Sequence, residues 1–260
     1  MKFTNEMYKE WHTIYVNSTN EKDLVEEKVR KYIFPNLKGR HQFLDIGAGD
    51  GNLTFRFMKD FSHTTVIEPI AEVGNSFKDK KITFINNNFQ DADLTAKYDF
   101  ILCSHVFWLV ERADQMNFMK KMYSLLSPGG KMAIIMVSPV GQSYDFFNRF
   151  FFNYDTTTHD IIGDLHVLDL PCSVVPVKYY FGSKVFGDFF NVCKLFTVES
   201  WLHPNKKSSQ EKLKREISDI DKYTEQKINE IEAFIRKNCL KSDGRYEMLE
   251  ETDIIVVSKE

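Results

Sequence analysis

The chain has 260 residues, 43% of them apolar, and a formal charge of −3. That is enough apolar content for a sizeable core, and too little charge of either sign for a nucleic-acid-binding field, an acidic tail or global disorder. Its four cysteines include no C-x-x-C pair, no apolar run is long enough to span a bilayer, and the N-terminus lacks an unbroken apolar leader; a reduced cytoplasmic protein without membrane contact is expected.

In chain order, "EWHTIY" (10–15) is amphipathic and too aromatic for a free tail. From Leu24 to Ser138 short apolar runs alternate with amphipathic stretches, the pattern of βαβ units around a parallel sheet. Strands are expected at 42–47, 63–69, 82–87, 98–105 and 131–138. Between them "GNLTFRFMKDF" and "ERADQMNFMKKMYSLL" carry apolar residues at helical spacing, and "SPGG" (127–130) is read as the stop of the second helix. The aromatic run "YDFFNRFFFNY" (144–154) predicts a packed helix, with an aromatic lid as the alternative. A strand is expected toward the end of 170–181 and a helix over 184–196. Leu213, Ile217, Ile220, Ile228, Ile231 and Ile235 lie close to three-four spacing in the charged stretch 208–240, which predicts one or two amphipathic helices. The chain closes on a strand at 252–259. The result is an α/β chain with a doubly wound, mostly parallel sheet.

The turn "FLDIGAGDGNLT" (43–54) sits between the first strand and the first helix of this pattern. There glycines let a ligand approach backbone N–H groups. Gly47, Gly49 and Gly51 are one residue out of step with the dinucleotide fingerprint, and no lysine follows them as in a P-loop. Asp45 and Asp50 in the same turn would repel a pyrophosphate and suit a positively charged ligand, which favours S-adenosylmethionine. Glu68, ending the second strand, is placed to accept both ribose hydroxyls of an adenosine; Asn88 and Phe89, after the third, to meet the adenine edge and face; Ser104 and His105 end the fourth.

These segments, together with "VIEP", "YDFILCSHVFWLV" and "LLSPGGKMAIIMVS", resemble the class I S-adenosylmethionine-dependent methyltransferases over residues 40–140. The resemblance implies a Rossmann-like sheet of seven strands, the last antiparallel and matched by "DIIVVSK". It divides a single domain into an N-terminal cap (1–37), a cofactor-binding core (38–140), a substrate-covering region with helices (141–251) and the last strand (252–260). The flanks, "HTIYVNSTNEKDLVEEKVRKYIFPNL" (12–37), "IIMVSPVGQSYDFFNRF" and "MLEETDIIVVSKE", are similar to the histamine N-methyltransferases. That similarity implies a small amine or imidazole acceptor.

In the histamine enzymes a glutamate follows the N-terminal Ser-Thr and an asparagine precedes the final strand. Here Asn20 follows Ser18-Thr19 and Glu251 precedes Thr252, with Glu250 the alternative on a one-residue slip. Asn20, His105 and Glu251 are therefore the expected catalytic-site groups, and Trp11, Tyr15, Phe107 and Trp108 the expected aromatic substrate box. His159 and His166 lack metal-ligand spacing, so no metal is expected. The Asp/Asn-Pro-Pro-aromatic run of nucleic-acid amino-methyltransferases and the acids of metal-assisted catechol methyltransferases are both missing after the fourth strand. A monomer acting on a small molecule, with no nucleic acid or membrane partner, is expected; a non-catalytic cofactor-binding sensor or scaffold is the alternative.

Overall fold

The computed structural model describes residues 4–78, 81–150, 156–197, 215 and 217–260. Its strands are β1 Gln42–Ile46, β2 His63–Ile67, β3 Ile82–Ile85, β4 Tyr98–Ser104, β5 Leu126–Val137, β6 Cys172–Ser183 and β7 Tyr246–Ser258. They form one seven-stranded sheet in the order β3-β2-β1-β4-β5-β7-β6. β1 to β5 pair in parallel, and β7 runs antiparallel to β5 with Ile255 opposite Ile134. The strand order reverses between β1 and β4, so their carboxyl ends flank the crevice where ligands of doubly wound sheets bind. Helices are α1 Asn5–Asn17, α2 Glu21–Lys28, α3 Asn52–Phe57, α4 Gln115–Ser124, α5 Gln142–Phe150, α6 Thr158–Val167, α7 Phe186–Thr197 and α8 Ile220–Asn238. Among the described residues no helix is long and apolar enough to cross a membrane.

Contacts divide the chain into two compact units: a sheet unit of residues 22–139, 155–177 and 252–260, and a second unit of residues 1–21, 140–154 and 178–251. In the sheet unit, parallel register sets Phe43 beside Phe100 and Leu44 beside Ile101. Strand side chains alternate, so these pairs serve opposite faces. The Phe43 and Phe100 rings lie 5.5 Å apart, and Phe34 meets Phe57 and Phe100, each at 5.3 Å. On the other face Leu44, Ile46, Ile101 and Cys103 pack with Phe118, Met119 and Met122 of α4.

"SPGG" is not a helix stop. α4 ends before it, at Ser124, and residues 127–130 belong to β5. Tyr98 pairs with Leu126 and Phe100 with Lys131, so β5 carries its surplus residues as a bulge. The Gly129 N–H donates to the Lys259 carbonyl at 2.7 Å, an antiparallel bond the local sequence does not advertise.

The second unit is built on α1, α5, α7 and α8. Thr4 caps α1 by accepting from the Met7 N–H at 3.2 Å, and Asp219 caps α8 by accepting from the Lys222 N–H at 3.0 Å. Phe146, Phe147 and Phe150 of α5 are buried against Ile231 and Ile235 of α8, which makes the aromatic run a packed helix as far as Phe150. Ile217, Ile220 and Ile228 join the same cluster. Leu213 and residues 151–154 lie outside the described residues.

Candidate functional site

β1 passes into its turn through the Gly47 N–H, which donates to the Ile67 carbonyl at 2.8 Å; the Gly51 N–H then closes the turn on the Ala48 carbonyl at 2.9 Å. Gly47 and Gly49 both have positive φ, +68° and +54°, but for different ends. A Cβ at Gly47 would lie 2.5 Å from Val106 Cγ2, whereas one at Gly49 would meet nothing within 4 Å. The first glycine lets the turn pack on the loop after β4. The second leaves backbone open to an approaching ligand.

Glu68, only 5% exposed, holds this turn: Oε2 accepts from the Gly49 N–H and Oε1 from the Ile70 N–H, each at 3.1 Å. Each oxygen keeps a lone pair for a ligand hydroxyl. Asp45 is buried beneath the turn, and its Oδ2 accepts from Thr54 Oγ1 at 2.6 Å. Burial pushes its pKa up to about 7, with Glu68 adding to the rise and Thr54 and Lys22 opposing it. Asp50 is exposed and caps the turn locally by accepting from the Asn52 N–H at 3.0 Å.

After β3, Asn88 is exposed while Phe89 is 3% exposed, its ring 4.7 Å from that of Phe118. The Phe89 ring, expected at the adenine face, thus packs into the core and anchors the turn. After β4, the Ser104 Oγ is buried without a hydrogen-bond partner. His105 adopts φ 56° while its N–H donates to the Ile135 carbonyl at 2.9 Å. A left-handed non-glycine residue costs about 1–2 kcal/mol, and such strain concentrates at functional sites. Phe107, expected in the aromatic box, is fully buried with its ring 5.2 Å from Phe118. Trp108 is partly buried against the same cluster.

In the second unit Trp11, expected in the substrate box, is 4% exposed and packs on Leu195 with the Lys194 ammonium 4.6 Å from its ring. Asn20 is exposed, but the next residue, Glu21, is 1% exposed. Glu251, expected among the catalytic-site groups, pairs with Lys178 Nζ at 3.1 Å. Its neighbour Glu250, 3% exposed, accepts from Tyr15 Oη at 3.0 Å. Burial first, then the Glu250, Tyr179 and Glu21 groups, hold the Tyr15 hydroxyl well above its ordinary pKa. Two buried carboxylates and two tyrosines therefore share one neighbourhood. Glu21 and Tyr179 carried no motif or spacing by which the sequence could have marked them.

Two further residues escaped the sequence reading, Gln115 and Lys121 on α4. Gln115 Nε2 donates to the Phe107 and Val110 carbonyls, both at 3.2 Å, and to Thr156 Oγ1 at 2.8 Å. It thereby fixes the loop that follows His105. No group of three or more His, Cys, Asp or Glu among the described residues could hold a metal ion.

A family model described as a methyltransferase domain matches residues 19–154. An uncharacterized methyltransferase of Staphylococcus carnosus is 24% identical over 62% of this chain and 88% of its own length. The YcgJ protein of Bacillus subtilis superposes with a TM-score of 0.57 at 14% identity, over 92% of this chain and 97% of that one. A SAM-dependent methyltransferase of Archaeoglobus fulgidus gives 0.53 at 12% identity, over 92% and 94%. Both solved structures share the fold.

Proposed function

The chain belongs to the methyltransferase-domain family and is an S-adenosylmethionine-dependent methyltransferase; from that premise we propose that its acceptor is the nitrogen of a small amine or imidazole. The cofactor supplies a methyl group made electrophilic by a sulfonium. The site residues fit it: the turn is open at Gly49, Ser104 Oγ is a buried polar atom in want of a partner, and Glu68 has acceptor capacity for ribose hydroxyls. Asn88 would meet the adenine edge. Asp45 and Glu68 supply the negative field that a cation favours.

The observation that carries the reading is the cofactor turn, open at Gly49 and held by Glu68, with the unpartnered buried Ser104 Oγ and the left-handed His105 after β4. An ammonium has no lone pair, so the nucleophile is a neutral nitrogen, that of an uncharged amine or of an imidazole. Methyl transfer is an in-line displacement that needs alignment and exclusion of water and no covalent nucleophile; His105 serves as the polar contact to the acceptor. The similarity of residues 12–37 to the histamine N-methyltransferases supports a small amine, although the Asn20 position departs from them. The chain acts as a monomer in this reading.

The test is methyl transfer from labelled cofactor to a panel of amines, imidazoles, phenols and thiols. Transfer to amine or imidazole nitrogens is the expected result. Transfer to neutral phenols or thiols alone would sink the reading.

A further inference from the structure

The turn after β3 is held from one side by a single ammonium. Lys121 Nζ donates to the carbonyls of Phe89, Gln90 and Ala92 at 2.8, 2.9 and 2.7 Å. Three donors meet three acceptors, which satisfies the lysine completely. On the other side the Phe89 ring enters the core against Phe118. Within the turn the Asn88 carbonyl accepts from the Asp91 and Ala92 N–H groups at 3.2 and 3.1 Å, and Asn88 Nδ2 donates to Asp91 Oδ2 at 3.3 Å.

These bonds matter because a primary amide is nearly symmetric. Offered to a 6-aminopurine it presents its oxygen to the amino group and its nitrogen to N1. Rotated by half a turn, it suits a 6-oxopurine equally well. An asparagine free to rotate therefore cannot choose between adenine and hypoxanthine. The Asn88 amide is not free: its nitrogen is tied to Asp91, and the turn carrying both is clamped by Lys121.

We infer that Lys121 and Asp91 are positioning residues that hold the Asn88 amide in one orientation and so make the site select a 6-aminopurine over a 6-oxopurine. The inference rests on the reading that this chain binds S-adenosylmethionine with Asn88 at the base edge. Neither residue touches the reacting atoms.

The measurement is calorimetric affinity for S-adenosylhomocysteine and for its inosine analogue, S-inosylhomocysteine, on the native chain, Lys121→Met, Lys121→Arg and Asp91→Ala. The native chain should prefer the adenine ligand by at least about tenfold, the scale on which a mismatched polar edge is rejected. Lys121→Met should shrink that preference to within about threefold, Lys121→Arg should keep most of it, and Asp91→Ala should lose it while retaining adenine affinity. A preference is a ratio within one protein, so partial unfolding does not move it; if Lys121→Met yields no folded chain, Asp91→Ala decides alone. Unchanged preference in the variants overturns the inference and leaves the cofactor reading standing. A native chain that binds S-adenosylhomocysteine without preference overturns the Asn88 assignment and the inference with it. If it binds neither ligand, the cofactor reading falls as well.

Discussion

Thr54 Oγ1 donates to Asp45 Oδ2 at 2.6 Å, and both side chains are buried. One hydroxyl is modest compensation for a desolvated carboxylate, and burial raises the Asp45 pKa from 3.8 to about 7. Between those values the folded chain keeps a proton that the unfolded chain releases. This group's contribution to stability is thus fully present below the unfolded value and is lost as pH rises toward 7. A cationic ligand prefers the ionised form. Cofactor affinity should rise through pH 6 to 8 with proton release on binding, and Asp45→Asn should flatten both; calorimetry in buffers of different ionisation enthalpy measures the proton count.

Glu68 is tied to the turn by two backbone N–H groups and offers lone pairs to the ribose. Glu68→Ala should weaken S-adenosylhomocysteine binding by about 1.5–3 kcal/mol per lost charged contact, roughly ten- to a hundredfold. Calorimetric affinity within a factor of two of native would remove Glu68 from the cofactor site.

Gln115 is 1% exposed and bonds two carbonyls and a hydroxyl. Gln115→Leu strands those acceptors at about 1–3 kcal/mol for each buried group left unsatisfied. Because the stranded groups belong to the loop after β4, the expected signature is lower melting temperature and lower kcat with near-native cofactor affinity. A loss of cofactor affinity as large as the loss of kcat would contradict this division of labour.

His105→Gly removes left-handed strain of about 1–2 kcal/mol but adds about 0.5–1 kcal/mol of backbone entropy to the unfolded chain. Stability should therefore stay within about 1 kcal/mol of native while turnover falls at least tenfold, a general-base or positioning scale of loss. Denaturant titration and initial rates separate the two. Native turnover in a stable variant would make the histidine structural.

The strands and the glycine turn were legible in the sequence because their signals are local: alternation over a few residues, and small residues crowded between a strand and a helix. Burial is not local. Phe89, Phe107 and Trp11 carry the same side-chain chemistry whether they wall a pocket or fill a core, and only their neighbours Phe118 and Leu195 decide it. The acidic residues of the second unit failed differently. Along a strand a one-residue step turns a side chain to the opposite face, so Glu250 meets Tyr15 while Glu251 meets Lys178. The "SPGG" segment misled because its strand pairing is completed by Lys259, far away in sequence.

The position of β7 also orders events in time. It is the last strand in the chain, yet it lies between β5 and β6 in the sheet. A nascent chain emerging from its N-terminus therefore presents β5 with an open edge until residues 246–258 are made, and β6, synthesised before them, has among the described strands only β7 to pair with, besides its bridge from Phe181 to Thr19. Closing that gap needs partners distant in sequence, the slow kind of contact. During this interval the edge of β5, running through Ile134, Ile135 and Met136, is a template for another chain's strand. Productive folding of this enzyme is accordingly a race between arrival of its own C-terminal strand and capture by a neighbour's.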